Sequence, residues 1–349
     1  MRERKLFKFF GARLIKTGIA VFLTAKICYL FDLPVVFAVI IAIATIEPTS
    51  SDSIRKGMIR FPAALIGAGL AMTFTYWFGQ TPLTFTLAAV LTIFICIKCK
   101  LEAGALIATI TAVAMIPITY DHYFLTFIER VGTTTIGLII STLVNFFILP
   151  AKFSTEIKER NDRLYQETAK LLKKRIYEIV NEQKAESREC KKEYQRITSE
   201  LSKSFQLCQF QREEWKYHRH TWKELRSFTY ETKKLDGLQQ IHYHLGHIIS
   251  VHINKNMFTN SDKELVKQTV NSTVQFLESS GAKLSPDHIK KIRELDSLFW
   301  HPNKQTQQEM QKYHHHFTPE TVILFVILSI HDVLEEIERL SRFQIDNQT

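Results

Sequence analysis

Arg60-Phe61-Pro62-Ala63-Ala64-Leu65-Ile66-Gly67-Ala68-Gly69-Leu70-Ala71 has an echo 70 residues further on, Arg130-Val131-Gly132-Thr133-Thr134-Thr135-Ile136-Gly137-Leu138-Ile139-Ile140-Ser141. In both copies an arginine opens a long apolar run. Small residues then recur at a spacing of four: Ala63, Gly67 and Ala71 in the first, Thr133, Gly137 and Ser141 in the second. On a helix the arginine shares a face with residues three, seven and eleven positions on, so cation and stripe look the same way. A stripe of this kind lets another backbone approach closely, as membrane helices do. Each arginine is therefore expected to face a helix bundle rather than lipid.

Working outward, six apolar stretches fill the first part of the chain, at 11–31, 34–46, 59–78, 83–97, 102–119 and 123–149. A helix needs about 20 apolar residues to cross a bilayer. The connections alternate in charge. The N-terminus (Arg2, Arg4, Lys5, Lys8), the 47–58 loop (Arg55, Lys56), the 98–101 turn (Lys98, Lys100) and the exit at Lys152 are basic. The connections around Asp32, Gln80 and Asp121-His122 carry no Lys or Arg. By the positive-inside rule this predicts six spans with both termini cytoplasmic. The basic start MRERKLFKFF is read as the flank of an uncleaved first span.

The second span, 34–46, is short, and its counterpart at 104–116 stops at Pro117. Span 1 maps onto span 4, and span 3 onto span 6, at the same offset of 70. Two three-helix units, the second inverted, are the expectation. Short or broken segments at matched positions of inverted repeats point to a substrate pathway.

Charges inside such a domain cost about 2.5–3.5 kcal/mol each at the bilayer centre, so each calls for a reason. Arg130 is the candidate anion-attracting group, with hydroxyls of Thr133, Thr134 and Thr135 beside it. Its neighbour Glu129 points about 100° away and is a candidate proton carrier or counter-charge. Arg60 reads equally as a pathway residue or as an anchor that snorkels to the headgroups. Lys26 is a further pathway candidate that could also snorkel. Glu47-Pro48 closes the short span and is the second candidate for proton or ion-pair duty. The polar run Thr49–Ser53 reads as a cytoplasmic gate or simply as a loop, the loop being the favoured reading.

Net charge is +10 over 349 residues. Residues 1–150 hold 13 Lys/Arg and 7 Asp/Glu, leaving 32 and 28 in 151–349. A basic excess that dilute gives no nucleic-acid footprint. After Pro150 the composition turns soluble, with amphipathic stretches at 151–180, 187–228, 231–256, 261–280, 286–299 and 318–343. Ser285-Pro286 and Thr318-Pro319 read as helix starts. The expected architecture is all-α: a six-helix transmembrane domain over 1–150 and a cytoplasmic helical domain over 151–349. Cys96-Ile-Lys-Cys99 lacks a second pair, and the histidines His242, His244, His247 and His252 lack a completing carboxylate or cysteine pattern, so no metal is expected. No nucleotide loop or nucleophile motif is present, and neither enzyme activity nor a cofactor is expected.

A short second span ending Ile46-Glu47-Pro48-Thr49-Ser50-Ser51, then Arg60 with its Gly67 stripe and a helical tail, closely resembles the bacterial aromatic acid exporter family. The closer likeness is to its six-span branch, within a fusaric acid resistance-like superfamily that includes plant malate-type anion channels. The resemblance covers nearly the whole chain. It implies efflux of aromatic carboxylates across the inner membrane and carries the family's arginine-and-glycine helix onto Arg60, Gly67, Arg130 and Gly137. Because many relatives have twelve spans, it also implies a homodimer. Two rivals are a passive anion channel and a membrane-anchored scaffold or sensor working through its soluble part.

Overall fold

The computed structural model describes residues 2–118, 123–148, 152–182, 187–251, 257–279, 283–301 and 318–346. Among them the structure is all-helical, with twelve α-helices, one 3-10 turn and no strand. Two compact units emerge, one of residues 1–152 together with 210–219, the other of 153–209 and 220–349.

The first unit contains α1 (Arg2–Leu30), α2 (Val35–Thr45), α3 (Ser50–Phe78), α4 (Pro82–Lys98), α5 (Glu102–Met115), the 3-10 turn Ile116–Ile118 and α6 (Tyr123–Phe147). Ser50–Phe78 and Phe124–Phe147 are long and apolar enough to cross a membrane, while Val35–Thr45, Pro82–Lys98 and Glu102–Met115 are shorter apolar helices. Packing in this unit is inside-out relative to a soluble bundle. Many of its buried positions are small or hydroxylated, such as Ala20, Thr24, Ala38, Ala108 and Ser141, beside a few larger ones such as Ile41 and Met115, whereas Phe22, Val36, Val90, Leu106 and Phe124 are exposed. Large apolar residues outside and small ones inside are what a lipid solvent favours.

Helix boundaries follow local chemistry. α3 starts at Ser50, where the Thr49 hydroxyl accepts the Asp52 N–H, and ends at Gly79 (φ 62°), whose N–H returns to the Thr75 carbonyl. The expected 47–58 loop is thus mostly helix. Thr49 and Asp52 form a cap there, and the Ser-rich run is the first turn of α3 rather than a loop. α4 starts with Pro82 behind the Thr81 cap.

The helices pack as two triplets, α1–α2–α6 and α3–α4–α5, joined through α3 and α6. Exchanging α1 with α4, α2 with α5 and α3 with α6 leaves this arrangement of contacts unchanged, and the buried positions repeat accordingly. On α2 they are Ala38, Ile41, Ala42 and Thr45; on α5, Ala108, Thr111, Ala112 and Met115, at the offset of 70. α1 buries Lys16, Ala20, Thr24 and Cys28, and α4 buries Thr84, Ala88, Thr92 and Cys96. That offset is 68, so the first pair of helices corrects the uniform offset expected from the sequence. The third helix of each half packs on the first two of the other half.

The second unit holds α7 (Ser154–Val180), most of α8 (Ser187–Glu214), α9 (Trp222–Ser250), α10 (Asn260–Glu278), α11 (Pro286–Trp300) and α12 (Pro319–Asp346). α9 and α10 open with capping boxes, Thr221 with Glu224 and Thr259 with Asp262. The expected 187–228 helix therefore breaks at 215–221, ahead of the Thr221 cap. Its core is Ile, Leu and Val from α7, α9, α10 and α12. Arg175, buried on α7, donates to the Ile248 and Val251 carbonyls and so caps the end of α9.

Candidate functional site

Gly67 and Gly137 are where α3 closes on α5 and α6 closes on α2, one tight contact inside each triplet. A Cβ on Gly67 would lie 2.5 Å from the Ala108 carbonyl oxygen, and one on Gly137 would lie 2.5 Å from that of Ala38. Both glycine and carbonyl repeat at an offset of 70, so the same contact is made twice. Ala63, Ala71, Thr133, Thr134 and Ser141 are all buried along the same two faces. Ser141 donates to the Gly137 carbonyl and Thr133 to that of Arg130, so both hydroxyls are satisfied along α6 itself.

Arg130 is 4% exposed. One terminal nitrogen donates to the Thr111 hydroxyl of α5 at 2.5 Å, and the guanidinium lies 3.9 Å from the ring centroid of Phe37 on α2. Among the described residues its Nε and other terminal nitrogen have no hydrogen-bond partner, and the Thr134 hydroxyl nearby in sequence is also without one. Among the described residues no carboxylate is within ion-pair distance of Arg130. Leaving a buried charge with open donors costs several kcal/mol, unless an anion fills the place. Glu129 is half-buried and makes no ion pair with Arg130.

Arg60 is differently employed. It donates to Glu47 Oε1 at 2.7 Å and to the Ala44 carbonyl at 2.9 Å, while Lys56 holds the other Glu47 oxygen at 2.9 Å. Burial pushes the Glu47 carboxyl up, but the bonds and charges of Lys56 and Arg60 outweigh it and hold the group below its ordinary value. Lys26 is exposed on α1, off the buried line, and the structure does not bring it to Arg130.

A second polar cluster lies where α3 begins and α6 ends. Lys16, 6% exposed, donates to Asn145 Oδ1 at 2.8 Å. The Asn145 amide donates to the Glu47 and Thr49 carbonyls and to Ser53 Oγ. Glu214, 2% exposed, accepts the Ser50 N–H at 2.8 Å and its hydroxyl at 3.0 Å. His218 sets Nε2 3.0 Å from the Phe146 carbonyl and Nδ1 3.4 Å from the Glu214 carboxylate. Sequence reasoning passed over Lys16, Asn145 and Glu214, and took Ser50 only as part of the polar run Thr49–Ser53. Only the four-residue spacing Lys16-Ala20-Thr24-Cys28, matched by Thr84-Ala88-Thr92-Cys96, could have marked Lys16 as inward-facing.

Residues 8–148 match the model for aromatic acid exporter family member 1. A UPF0421 protein of Bacillus cereus is 44% identical over 350 residues, covering 100% of this chain and 98% of the relative. One from Halalkalibacterium halodurans is 36% identical over 342 residues, covering 97% and 92%, and one from Staphylococcus aureus is 36% identical over 288, covering 81% and 87%. The chain therefore belongs to the UPF0421 family and, through the unit that carries Arg130 and the two glycine contacts, to the aromatic acid exporter family.

Proposed function

We propose that the protein is a multi-pass transporter of the bacterial cytoplasmic membrane that exports organic anions, aromatic carboxylates foremost. The observation that carries the reading is Arg130. It is a buried guanidinium with two open donors, no counter-carboxylate among the described residues, and an aromatic ring against its face. An incoming carboxylate would satisfy those donors with charge-assisted bonds, and Phe37 fixes the guanidinium plane for it. Thr133 and Thr134 stand on the same helix face.

In this reading residues 1–150 form six spans in two inverted three-helix repeats, with both termini in the cytoplasm. The exchange symmetry of the helix packing and the alternation of basic loops support it. The two triplets, each held together by one of the glycine contacts, are bodies that could rock against each other where α3 meets α6. Residues 151–349 form a cytoplasmic helical domain, and a six-span unit completes its assembly as a homodimer. Proton coupling would run through Glu129 rather than Glu47, because Arg60 and Lys56 already keep Glu47 ionised. Lys26, at the outer end of α1, would serve the exit side.

The test is uptake of labelled 4-hydroxybenzoate into inside-out vesicles, with and without an imposed proton gradient. Gradient-driven accumulation is expected. Uptake that equilibrates regardless of the gradient would make the protein a passive anion channel, and no uptake across a panel of organic acids would end the transport reading.

A further inference from the structure

Glu214 sits in an unusual place for a carboxylate. It ends α8, where its own helix dipole disfavours a negative charge, and it is buried to 2% exposure. What holds it is the start of another helix. The backbone N–H and hydroxyl of Ser50, the first residue of the 29-residue α3, both donate to it. A long helix start is a natural seat for an anion. Lys16, itself buried, lies within coulombic reach of the same carboxylate. The Lys16 ammonium donates only to the neutral Asn145, through its side chain and backbone carbonyl, and forms no ion pair among the described residues. The Asn145 carbonyl stands 3.2 Å from the same Ser50 hydroxyl and competes with Glu214 for its single hydrogen. Behind Glu214, Tyr217 and His218 rest against the ring of Phe146 near the end of α6.

We propose that the start of α3, with Lys16 and Asn145, is a carboxylate-binding site, and that Glu214 occupies it as an internal ligand which a free carboxylate displaces. The site lies at the end of the unit where α3 begins and α6 finishes, the end assigned above to the cytoplasm. The inference rests on the export reading for the identity of the incoming ligand. A segment seated this way closes one end of the unit until substrate competes for its seat. The competition is even-handed chemically, because a benzoate carboxylate can accept the same two Ser50 donors and face the same ammonium.

The full chain in detergent provides the test. Trp77, Trp222 and Trp300 are exposed and can be replaced by Phe, leaving Trp215, next to Glu214, as the only tryptophan. Titration with benzoate is expected to shift Trp215 emission saturably. Glu214→Ala should bind benzoate about tenfold tighter, because the internal competitor is gone. Adding Lys16→Gln should remove that gain. Glu214→Gln keeps the side-chain shape and should fall between, which covers the case in which the alanine variant folds poorly. Glu214 variants that melt like the wild type yet bind benzoate no tighter would overturn the proposal. So would a tighter affinity that survives Lys16→Gln. Failure of the export reading looks different: vesicle uptake would be absent while the Trp215 titration still saturates. A wrong inner site with a correct export reading would instead give Arg130-dependent uptake and a silent Trp215.

Discussion

The guanidinium of Arg130 lies 3.9 Å over the ring of Phe37, so the one buried cation of α6 is positioned by α2, a helix from the other half of the repeat. Thr111 of α5 holds its remaining bonded nitrogen. Three helices thus aim one charge, and two of its donors stay open among the described residues. Desolvated cation–π contacts are worth about 2 kcal/mol. Phe37→Leu is expected to lower the stability of the purified protein by about 1–2 kcal/mol and to slow benzoate uptake severalfold, while Phe37→Tyr preserves both. Unchanged uptake by Phe37→Leu would show that the ring does not orient Arg130 for its ligand.

The glycine contacts give a matched pair of stability predictions. A methyl at either Gly67 or Gly137 would sit 2.5 Å from a backbone oxygen that cannot step aside without moving its helix. Gly67→Ala and Gly137→Ala should each cost about 1–3 kcal/mol, the usual scale of overpacking. Gly69→Ala meets nothing within 4 Å and should be neutral or slightly stabilising. Thermal melts of the three variants decide this, and equal melting temperatures would contradict the close approach of α3 to α5 and of α6 to α2.

Glu47 ties two cations, Arg60 at 2.7 Å and Lys56 at 2.9 Å. Both Arg60 and Glu47 side chains are nearly buried, at 11% and 14% exposure. Removing the carboxylate strands Arg60, whereas removing Arg60 leaves Glu47 with Lys56. Glu47→Gln should therefore destabilise more than Arg60→Gln, by about 2–4 kcal/mol against about 1–2 kcal/mol. The double variant should lose less than the sum. Additive losses in a melting series would show that the two do not interact.

In the second unit, burial pushes His242 and His288 down to about 4, with His331 and Lys291 adding to the effect on His288. Both residues are almost fully buried, and His288 Nε2 stands 3.1 Å from His331 Nδ1. The unfolded chain takes up these protons near the ordinary histidine value of about 6.5, whereas the folded chain resists until about pH 4. Stability is therefore complete above pH 6.5 and falls as pH drops from there towards 4, by up to roughly 3 kcal/mol per histidine. Melting temperature measured between pH 7.5 and 4.5 should decline, and His288→Gln should flatten part of the slope. A flat profile in the wild type would contradict the burial of both rings.

The stripe of small residues after each arginine was legible because close helix packing leaves a spacing of four. The same spacing on α1, Lys16-Ala20-Thr24-Cys28, was equally present, but Lys26, near the outer end of the same span, was read as the pathway candidate instead. It lies off that line and is exposed. The repeat offset of 70 holds for α2, α3, α5 and α6; the 68-residue offset of α1 and α4 is hidden because compositional similarity tolerates a slip of two. Ser50–Ser53 looked like a loop because Ser and Asp favour turns, although Thr49 and Asp52 are also a cap. The cluster of Lys16, Asn145, Ser50 and Glu214 could not be read at all. Its bonds span 129, 95 and 164 positions, and no local period relates residues brought together only by folding.

The central claim is that Arg130 holds the carboxylate of an exported anion, and its most direct test is gradient-driven 4-hydroxybenzoate uptake by inside-out vesicles containing Arg130→Gln at wild-type protein levels. Loss of one charge-assisted pair costs about 1.5–3 kcal/mol, so uptake is expected to fall tenfold or more, with Arg130→Lys intermediate. Wild-type uptake by Arg130→Gln would contradict the account.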